Sequence, residues 1–267
     1  MPDADSTLAA LEGVSLEELR SVLVALESGD VALPAQATGR ILELLAHSSK
    51  EVRRRAAGAL ATALARGVVS TDAVDAVLAD QDPGRRFGAA FAMSRASRTT
   101  AAVIDVAVEA LGAADGDVRW AAAGILCSAA SSDDAMRTRL TDLTVDASIE
   151  RRKMALYCLR DLGVTDAAVY LSALGDSDAN VRVAGLAGIG RAGKASSEVI
   201  ARLIDVARTD PVAGVRRAAV GVLGMTGTDD LDAQDALREF VNDADVHAAR
   251  AAQSALARAG AKETPQH

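Results

Sequence analysis

Apolar and small residues recur along the chain in a nine-residue phrase that has seven copies. The copies begin at Val52, Arg85, Val118, Arg151, Val181, Val215 and Ala248. With the first residue counted as position zero, position one is arginine in six copies, position four is small, and position eight is large and apolar. Positions zero, four and eight share one face of an α-helix. Each copy therefore predicts an amphipathic helix with this stripe buried, which we name a B helix.

The stretches between the phrases predict a second set of helices, which we name A helices. They cover residues 35–47, 71–79, 100–113, 133–145, 165–174, 196–208 and 230–241. Position one recurs at spacings of 33, 33, 33, 30, 34 and 33 residues. One helix pair per period of this length is typical of an α-solenoid. A further amphipathic helix is predicted at residues 15–29, where Ser15 and Glu18 form a capping box, and we expect it to cap the N-terminal end of the stack.

The ends of the B helices carry their own signals. Residues suited to N-caps precede the phrases, namely Ser49, Asp82, Asp117, Ser148, Asp178, Asp210 and Asp245. Glycines at position twelve, which are Gly163, Gly193, Gly227 and Gly260, predict where four of the B helices end.

The period, the D-x-x-V-R-x-A phrase and the trailing L-G-x-x-G resemble HEAT-like repeats of the short bacterial type that also occurs in phycobilisome lyases. The resemblance covers residues 35–260, preceded by an N-terminal cap (1–34) and followed by a flexible tail (261–267). It implies an all-α, right-handed α-solenoid of about seven helix pairs, with A helices on its convex surface and B helices lining a concave groove. Most members of such families are binding scaffolds, and a minority are bilin lyases or DNA alkyl-base glycosylases.

Composition agrees with an all-α protein. Aromatic residues make up only 2% of the 267 residues, while alanine is abundant, and a mixed or all-β protein would need more bulky β-formers. Two cysteines, Cys127 and Cys158, cannot build a disulfide framework, and the N-terminus lacks the pattern of a signal peptide. We therefore expect a soluble, cytoplasmic protein. Its net charge of −8 disfavours non-specific binding to nucleic acid or anionic membranes.

Charge is distributed unevenly between the B helices and the rest of the chain. The windows 52–66, 85–98, 118–130, 151–163, 181–193, 215–227 and 248–260 hold 19 basic residues and one acid, Asp161, against 10 bases and 36 acids elsewhere. A basic layer focuses its field on an acidic partner. We assign the position-one arginines a structural role, as a ladder that links successive units: Arg53, Arg86, Arg119, Arg152, Arg182 and Arg216.

Positions two and six point away from the buried stripe and define a candidate partner-binding groove. Position two contributes Arg54, Phe87, Trp120, Lys153, Arg217 and Arg250, and position six contributes Phe91 and Tyr157. Exposed aromatic side chains beside cations are typical binding hot spots. The alternative interpretation is that these aromatic side chains, Phe87 and Phe91 above all but also Trp120 and Tyr157, fill gaps between units.

No arrangement typical of catalysis, of a metal site or of a cofactor site occurs in the sequence. The three histidines lack metal-ligand spacing, no histidine is placed to activate a cysteine, and the GLAGIG run lies within a B helix. We predict a non-catalytic scaffold that binds an acidic protein or peptide, with no cofactor, metal or membrane partner. The alternatives are nucleic-acid binding and an enzyme of the glycosylase or lyase type, although only Asp161 accompanies Trp120 and Tyr157 as a candidate acid.

Overall fold

The computed structural model describes the backbone of residues 4–12 and 15–262. Throughout these residues the regular structure is helical and no strand forms, so the prediction of an all-α protein is confirmed. The helices are α1 (Ala4–Glu12), α2 (Leu16–Ser28), α3 (Thr38–Leu44), α4 (Lys50–Ala65), α5 (Thr71–Asp75), α6 (Pro83–Arg95), α7 (Ala101–Ala110), α8 (Gly116–Ala130), α9 (Asp134–Asp142), α10 (Ile149–Asp161), α11 (Ala167–Ala173), α12 (Ala179–Ala192), α13 (Ser197–Thr209), α14 (Ala213–Thr226), α15 (Leu231–Phe240) and α16 (Val246–Lys262).

Contacts between helices divide the chain into two compact units, residues 1–129 and 130–267. In the first unit, the B helices α4 and α6 pack side by side, and α2 packs against α4. In the second unit, the B helices α10, α12, α14 and α16 pack in chain order, and the A helices α11, α13 and α15 pack in the same order. Each unit is thus built from helix pairs stacked in two layers.

The A helices are more irregular than the sequence predicts. Three of them contain a short α-helix joined to a 3₁₀ turn, at Ala35–Ala37 before α3, Ala76–Ala79 after α5 and Leu143–Val145 after α9. The structure also contains α1, a helix that was not predicted from the sequence. Because α1 packs against α2 and α2 against α4, the predicted N-terminal cap is itself a helix pair, with α2 in line with the B helices.

The predicted apolar stripe is the buried side of the B helices. Position four is buried in all seven copies, and position eight is buried in six, from Leu60 to Leu223. Leu256 on α16 is the exception and is half-buried. Alanine and glycine at position four allow each A helix to approach its B helix closely.

Most of the predicted helix starts are confirmed, but two are wrong. Ser49, Asp82, Ser148 and Asp178 are the N-caps of their helices, and the Asp245 carboxylate accepts the amides that open α16. Asp117 instead lies inside α8, where the Asp115 carboxylate accepts its amide, and Val212 rather than Asp210 caps α14. The Asp210 carboxylate is instead the buried acceptor for Arg182, which belongs to the preceding helix pair.

The ends of the B helices agree only in part with the glycine signals. Gly193 and Gly227 are C-caps, and Gly163 has the positive φ of 72° that follows a helix end. The prediction for Gly260 is wrong, because α16 continues to Lys262. This extension includes the first two residues of the predicted tail 261–267, and residues 263–267 lie outside the described part of the chain.

The glycine run of α12 is explained by packing. The fully buried ring of Tyr170 on α11 lies over Gly188, where an added Cβ would be 2.1 Å from a ring carbon. The Tyr170 hydroxyl donates a hydrogen bond of 3.1 Å to the Val164 carbonyl, and burial raises the pKa of this phenol to about 12. Glycine is therefore required at Gly188 by a neighbouring side chain rather than by a phosphate or other ligand.

We expect Gly188→Ala to lower the free energy of unfolding by about 2 kcal/mol, because the new methyl group overlaps the Tyr170 ring. Gly221→Ala is the matched control in the next B helix, since an added Cβ there has no neighbour within 4 Å. It should raise stability by up to about 1 kcal/mol through helix propensity. Urea denaturation of both variants measures the difference, and equal stabilities would contradict the packing of α11 on α12.

Candidate functional site

The position-one arginines close each connection between an A helix and its B helix, which we name the AB loop. In all six, Nη1 donates to the backbone carbonyl six residues upstream, at 2.7 to 2.9 Å, and in five it also reaches the carbonyl five residues upstream. A cation in the first turn of a helix opposes the helix dipole. These carbonyl acceptors compensate for that placement.

The AB loops share a second hydrogen bond that fixes their shape. A side chain accepts the backbone N–H two residues further on at His47, Asp80, Asp115, Asp146, Asp176, Asp210 and Asp243. This is an Asx-type turn in six loops and its histidine counterpart in the first. The recurring aspartates are therefore used chiefly within the loops.

Two of these aspartates also join neighbouring helix pairs in the second unit. Arg152 donates from Nε and Nη2 to the carboxylate of Asp176, at 2.7 and 2.9 Å, and Arg182 donates in the same way to Asp210. The Arg182 and Asp210 side chains are only 9% and 5% exposed. Such fork-shaped pairing fixes geometry as well as charge. In the first unit, Arg86 instead pairs with Glu109 on α7.

These pairs shift the pKa values of their carboxyl groups. The hydrogen bond from Arg152 is the main cause of the lowered pKa of Asp176, and it outweighs the opposing effect of burial. Burial alone would raise the pKa of Asp210, but hydrogen bonds from Arg182 and from the Val212 amide reverse this effect and the pKa is lowered. Both carboxylates therefore stay ionised, as their arginine partners require.

Much of the positive charge of the B helices is neutralised within the chain. At least ten of the 19 bases form ion pairs in the described residues: Arg55 and Arg95 with Glu27, Arg85 with Asp80, Arg86 with Glu109, Arg151 with Asp146, Arg152 with Asp176, Lys153 with Glu150, Arg160 with Asp161, Arg182 with Asp210, and Arg217 with Asp245. The positive field expected from the sequence is thus weaker and more local.

We name positions two and six of the B helices the B face. In the first unit, the half-buried rings of Phe87 and Phe91 lie with centroids 6.2 Å apart, and the Arg95 guanidinium lies 5.9 Å from the Phe91 centroid. Trp120 is 51% exposed. Arg54 is exposed and makes no ion pair with any carboxylate in the described chain. Aromatic surface and available cations therefore occur together here.

In the second unit, the predicted site residues mostly have partners within the chain. The Lys153 side chain is only 17% exposed and pairs with Glu150 at 2.6 Å. Tyr157 lies under the Arg160 guanidinium, at 4.8 Å from the ring centroid, and Arg217 pairs with Asp245 at 3.0 Å. Arg250 is exposed and lacks an ion pair among the described residues, but position six of its helix is Ser254. Lys153 is therefore less available to a partner than the sequence suggests.

Two basic residues beside the B face were not predicted as site residues. Arg95 and Arg98 continue the line of Phe87 and Phe91 along α6 and just beyond its end. Arg98 is exposed, and its Nη1 donates to the Thr71 hydroxyl at 3.2 Å. The signal for Arg95 was present in the sequence, because spacings of four residues keep it on one side of a helix with Phe87 and Phe91. Arg98 lies beyond the end of α6, where helical spacing no longer applies.

Other chemistry receives little support from the structure. The described residues contain no group of three His, Cys, Asp or Glu side chains suited to a metal, and none of their helices is long and apolar enough to cross a bilayer. An open cleft of about 380 Å³ lies beside the Arg152–Asp176 pair, with Thr144, Val145 and Ser172 in its lining. Its arginine is already paired with its aspartate, so the cleft offers no unpaired charge to a ligand.

Comparisons with known proteins agree with this architecture. The family model of HEAT repeats matches residues 168–257, and no curated protein gives a significant sequence match. Among solved structures, Kap121p bound to Pho4p has a TM-score of 0.64 at 11% identity, covering 95% of this chain and 33% of that chain. Kap95p in complex with RanGDP has a TM-score of 0.61 at 13% identity, covering 94% of this chain and 41% of that chain. Importin beta has a TM-score of 0.58 at 14% identity, covering 96% of this chain and 40% of that chain.

These likenesses show the fold, and the chain spans about a third to two fifths of the lengths of these structural neighbours. The HEAT match lies within the second unit, and the same AB-loop hydrogen bonds recur in the first unit. The chain therefore resembles HEAT-repeat proteins in fold, and residues 168–257 match their family model.

We expect Arg182→Ala to lower the free energy of unfolding by about 3 kcal/mol, because it leaves the buried Asp210 carboxylate without its partner. Arg217→Ala removes an exposed pair and should cost less than about 1 kcal/mol. Chemical denaturation at neutral pH compares the two variants. Equal losses would show that the position-one arginine does not contribute more than a surface arginine.

Acid should weaken the fold through the same pairs. Because the pKa values of Asp176 and Asp210 are lowered in the folded protein, their contribution is present above the ordinary value of 3.8 and is lost as pH falls through the lowered values. We expect Asp210→Asn to be less stable than the parent at pH 7 and to lose less stability on acidification. Denaturation midpoints between about pH 7 and 2 test this, and parallel curves for both proteins would contradict it.

Proposed function

We propose that this protein is a non-catalytic scaffold that binds an acidic protein or peptide on its B face. The observation that carries the proposal is the coincidence, in the first unit, of partly exposed aromatic rings with an exposed arginine that no carboxylate neutralises. Large aromatic side chains beside arginine are the usual composition of a protein-binding hot spot.

The structural neighbours support a protein partner for this chain. Kap121p was solved bound to Pho4p, and Kap95p was solved with RanGDP. Both are repeat proteins of similar helix arrangement that bind another protein. The transfer of this role to the present chain is part of the proposal.

Binding to nucleic acid is the second candidate function, since exposed arginines also suit phosphates. The pairing of ten B-helix bases with carboxylates argues against it, because a phosphate backbone is bound best by a continuous row of available cations. Catalysis of the glycosylase type has still less support, because Asp161, its candidate acid, pairs with Arg160 at 2.7 Å.

We expect Trp120→Ala to weaken binding of a partner by about 2 kcal/mol, the scale of a central aromatic anchor. The fold should change by less than about 0.5 kcal/mol, since the side chain is half exposed. A protein that binds the parent in an extract of the native host, but does not bind the variant, is purified. It is then titrated into both proteins by calorimetry. Unchanged affinity together with a destabilised fold would instead indicate a packing role for Trp120.

The salt dependence of the same titration separates the two kinds of partner. A protein partner held by an aromatic anchor and a few ion pairs should lose affinity only modestly with salt. A DNA duplex tested in parallel would show a steep linear fall of log affinity with log salt if the B face bound phosphates. Tight, strongly salt-dependent DNA binding without any protein partner would overturn the proposal.

A further inference from the structure

Resting on the proposed function, we infer that recognition lies in the first unit and that the partner segment has an apolar side chain between two acidic groups. The site is a ridge along α6, formed by Phe87, Phe91, Arg95 and Arg98, with Arg54 of α4 beside its N-terminal end. The second unit contributes little to this recognition.

The ridge follows from the spacing of its residues. Phe87, Phe91 and Arg95 occupy positions two, six and ten, which share one side of α6, and Arg98 follows just beyond the helix end. The ring centroids of the two phenylalanines are 6.2 Å apart, and Arg95 lies 5.9 Å from the second ring. The rings offer an apolar contact in the middle of the ridge, between cations at its two ends.

The cations at the ends are available to a partner. Arg54 has no carboxylate within ion-pair distance in the part of the chain described, and Arg98 is exposed and donates from Nη1 to the Thr71 hydroxyl. Arg95 is 54% exposed, and its distance of 3.7 Å to Glu27 is long, since Glu27 pairs more closely with Arg55 at 2.7 Å. Acidic groups of a partner would therefore complete interactions that the chain itself leaves open.

The second unit lacks this combination. Its aromatic residue on the B face, Tyr157, is covered by Arg160, which in turn pairs with Asp161. Lys153 and Arg217 are paired with Glu150 and Asp245. Arg250 is exposed, but no aromatic residue accompanies it on its helix.

The backbone at the end of the ridge is also unusual. Ser97 has a φ of 58°, the one positive value at a non-glycine residue among those described. The corresponding position twelve is glycine, with φ of 72° and 92°, at Gly163 and Gly193. Side chains in this region cost stability and are frequent at functional sites. The Ser97 turn leads the chain directly to Arg98 at the far end of the ridge.

The length of the ridge sets the spacing of the acidic groups. Phe87 and Arg95 are separated by eight residues, or about 12 Å of helix. An extended peptide covers about 3.3 Å per residue. The two acidic groups should therefore be about four residues apart, with the apolar side chain between them.

A random peptide library displayed on phage, selected against the full chain, provides the probe. We expect the selected peptides to share a large apolar residue between two acidic residues about four positions apart. Each selected peptide is then synthesised with a fluorescent label and titrated by anisotropy, so that the affinity measured is that of a defined ligand.

Matched charge reversals locate the binding. Arg54→Glu should lower the affinity about tenfold, whereas Arg250→Glu should change it less than about twofold. Both arginines are exposed at position two of a B helix and make no ion pair in the described structure, so neither reversal should disturb folding, which thermal denaturation verifies. Arg98→Glu should act like Arg54→Glu and confirms that both ends of the ridge take part.

The outcomes separate this inference from the proposed function. If Arg250→Glu weakens binding as much as Arg54→Glu, or if the peptides lack acidic residues, the location or the pattern inferred here is wrong while protein binding stands. If no peptide is enriched over a blank surface, both fail. A DNA duplex that displaces the peptides at equal concentration would show that the ridge binds phosphates and would also overturn the inference.

Discussion

The hydrogen bonds of the position-one arginine are the interaction on which the repeated structure depends. Each A helix ends and each B helix begins within a few residues, so the carbonyls of the AB loop would remain without intramolecular donors if the arginine were absent. Its guanidinium can donate to two carbonyls and still present two N–H groups to a carboxylate. Lysine has the charge but not this planar fork, which explains why arginine occupies the position in all six copies that keep a base there.

The same interaction changes how the charge of the chain should be interpreted. A count by segment gives a strongly basic set of B helices, but the arginines at positions zero and one point to AB loops whose aspartates lie within reach. Arg85 and Arg151 pair with the aspartate of their own loop, and Arg152 and Arg182 pair with that of the next. The excess of acids outside the B helices is therefore partly the other half of these pairs, and only a few cations remain for a partner.

Those remaining cations occur beside aromatic surface in one place in the described chain, along α6 and next to it. Phe87 and Phe91 are half-buried, so they have a packing role and a surface role at once. Little conformational entropy is lost when such a face binds, because the folded repeat already holds its side chains in position before a partner arrives. The glycines at position six of α4, α8 and α14 leave the corresponding places on neighbouring B helices without a side chain.

The sequence by itself determined the class of fold, because the position-four and position-eight residues repeat with a period that only stacked helix pairs can bury. It also located most B helices to within a few residues, since N-caps and helical periodicity are local signals. Local signals did not identify α1, the 3₁₀ turns of the A helices or the true roles of Asp117 and Asp210, which depend on how each loop packs. Only the tertiary structure decided which charges are available, because Asp176 and Asp210 are 24 and 28 residues from the arginines they neutralise. It likewise separated the first-unit residues Arg54 and Phe87 from Lys153 and Arg217, which have the same register in the sequence but different neighbours in space.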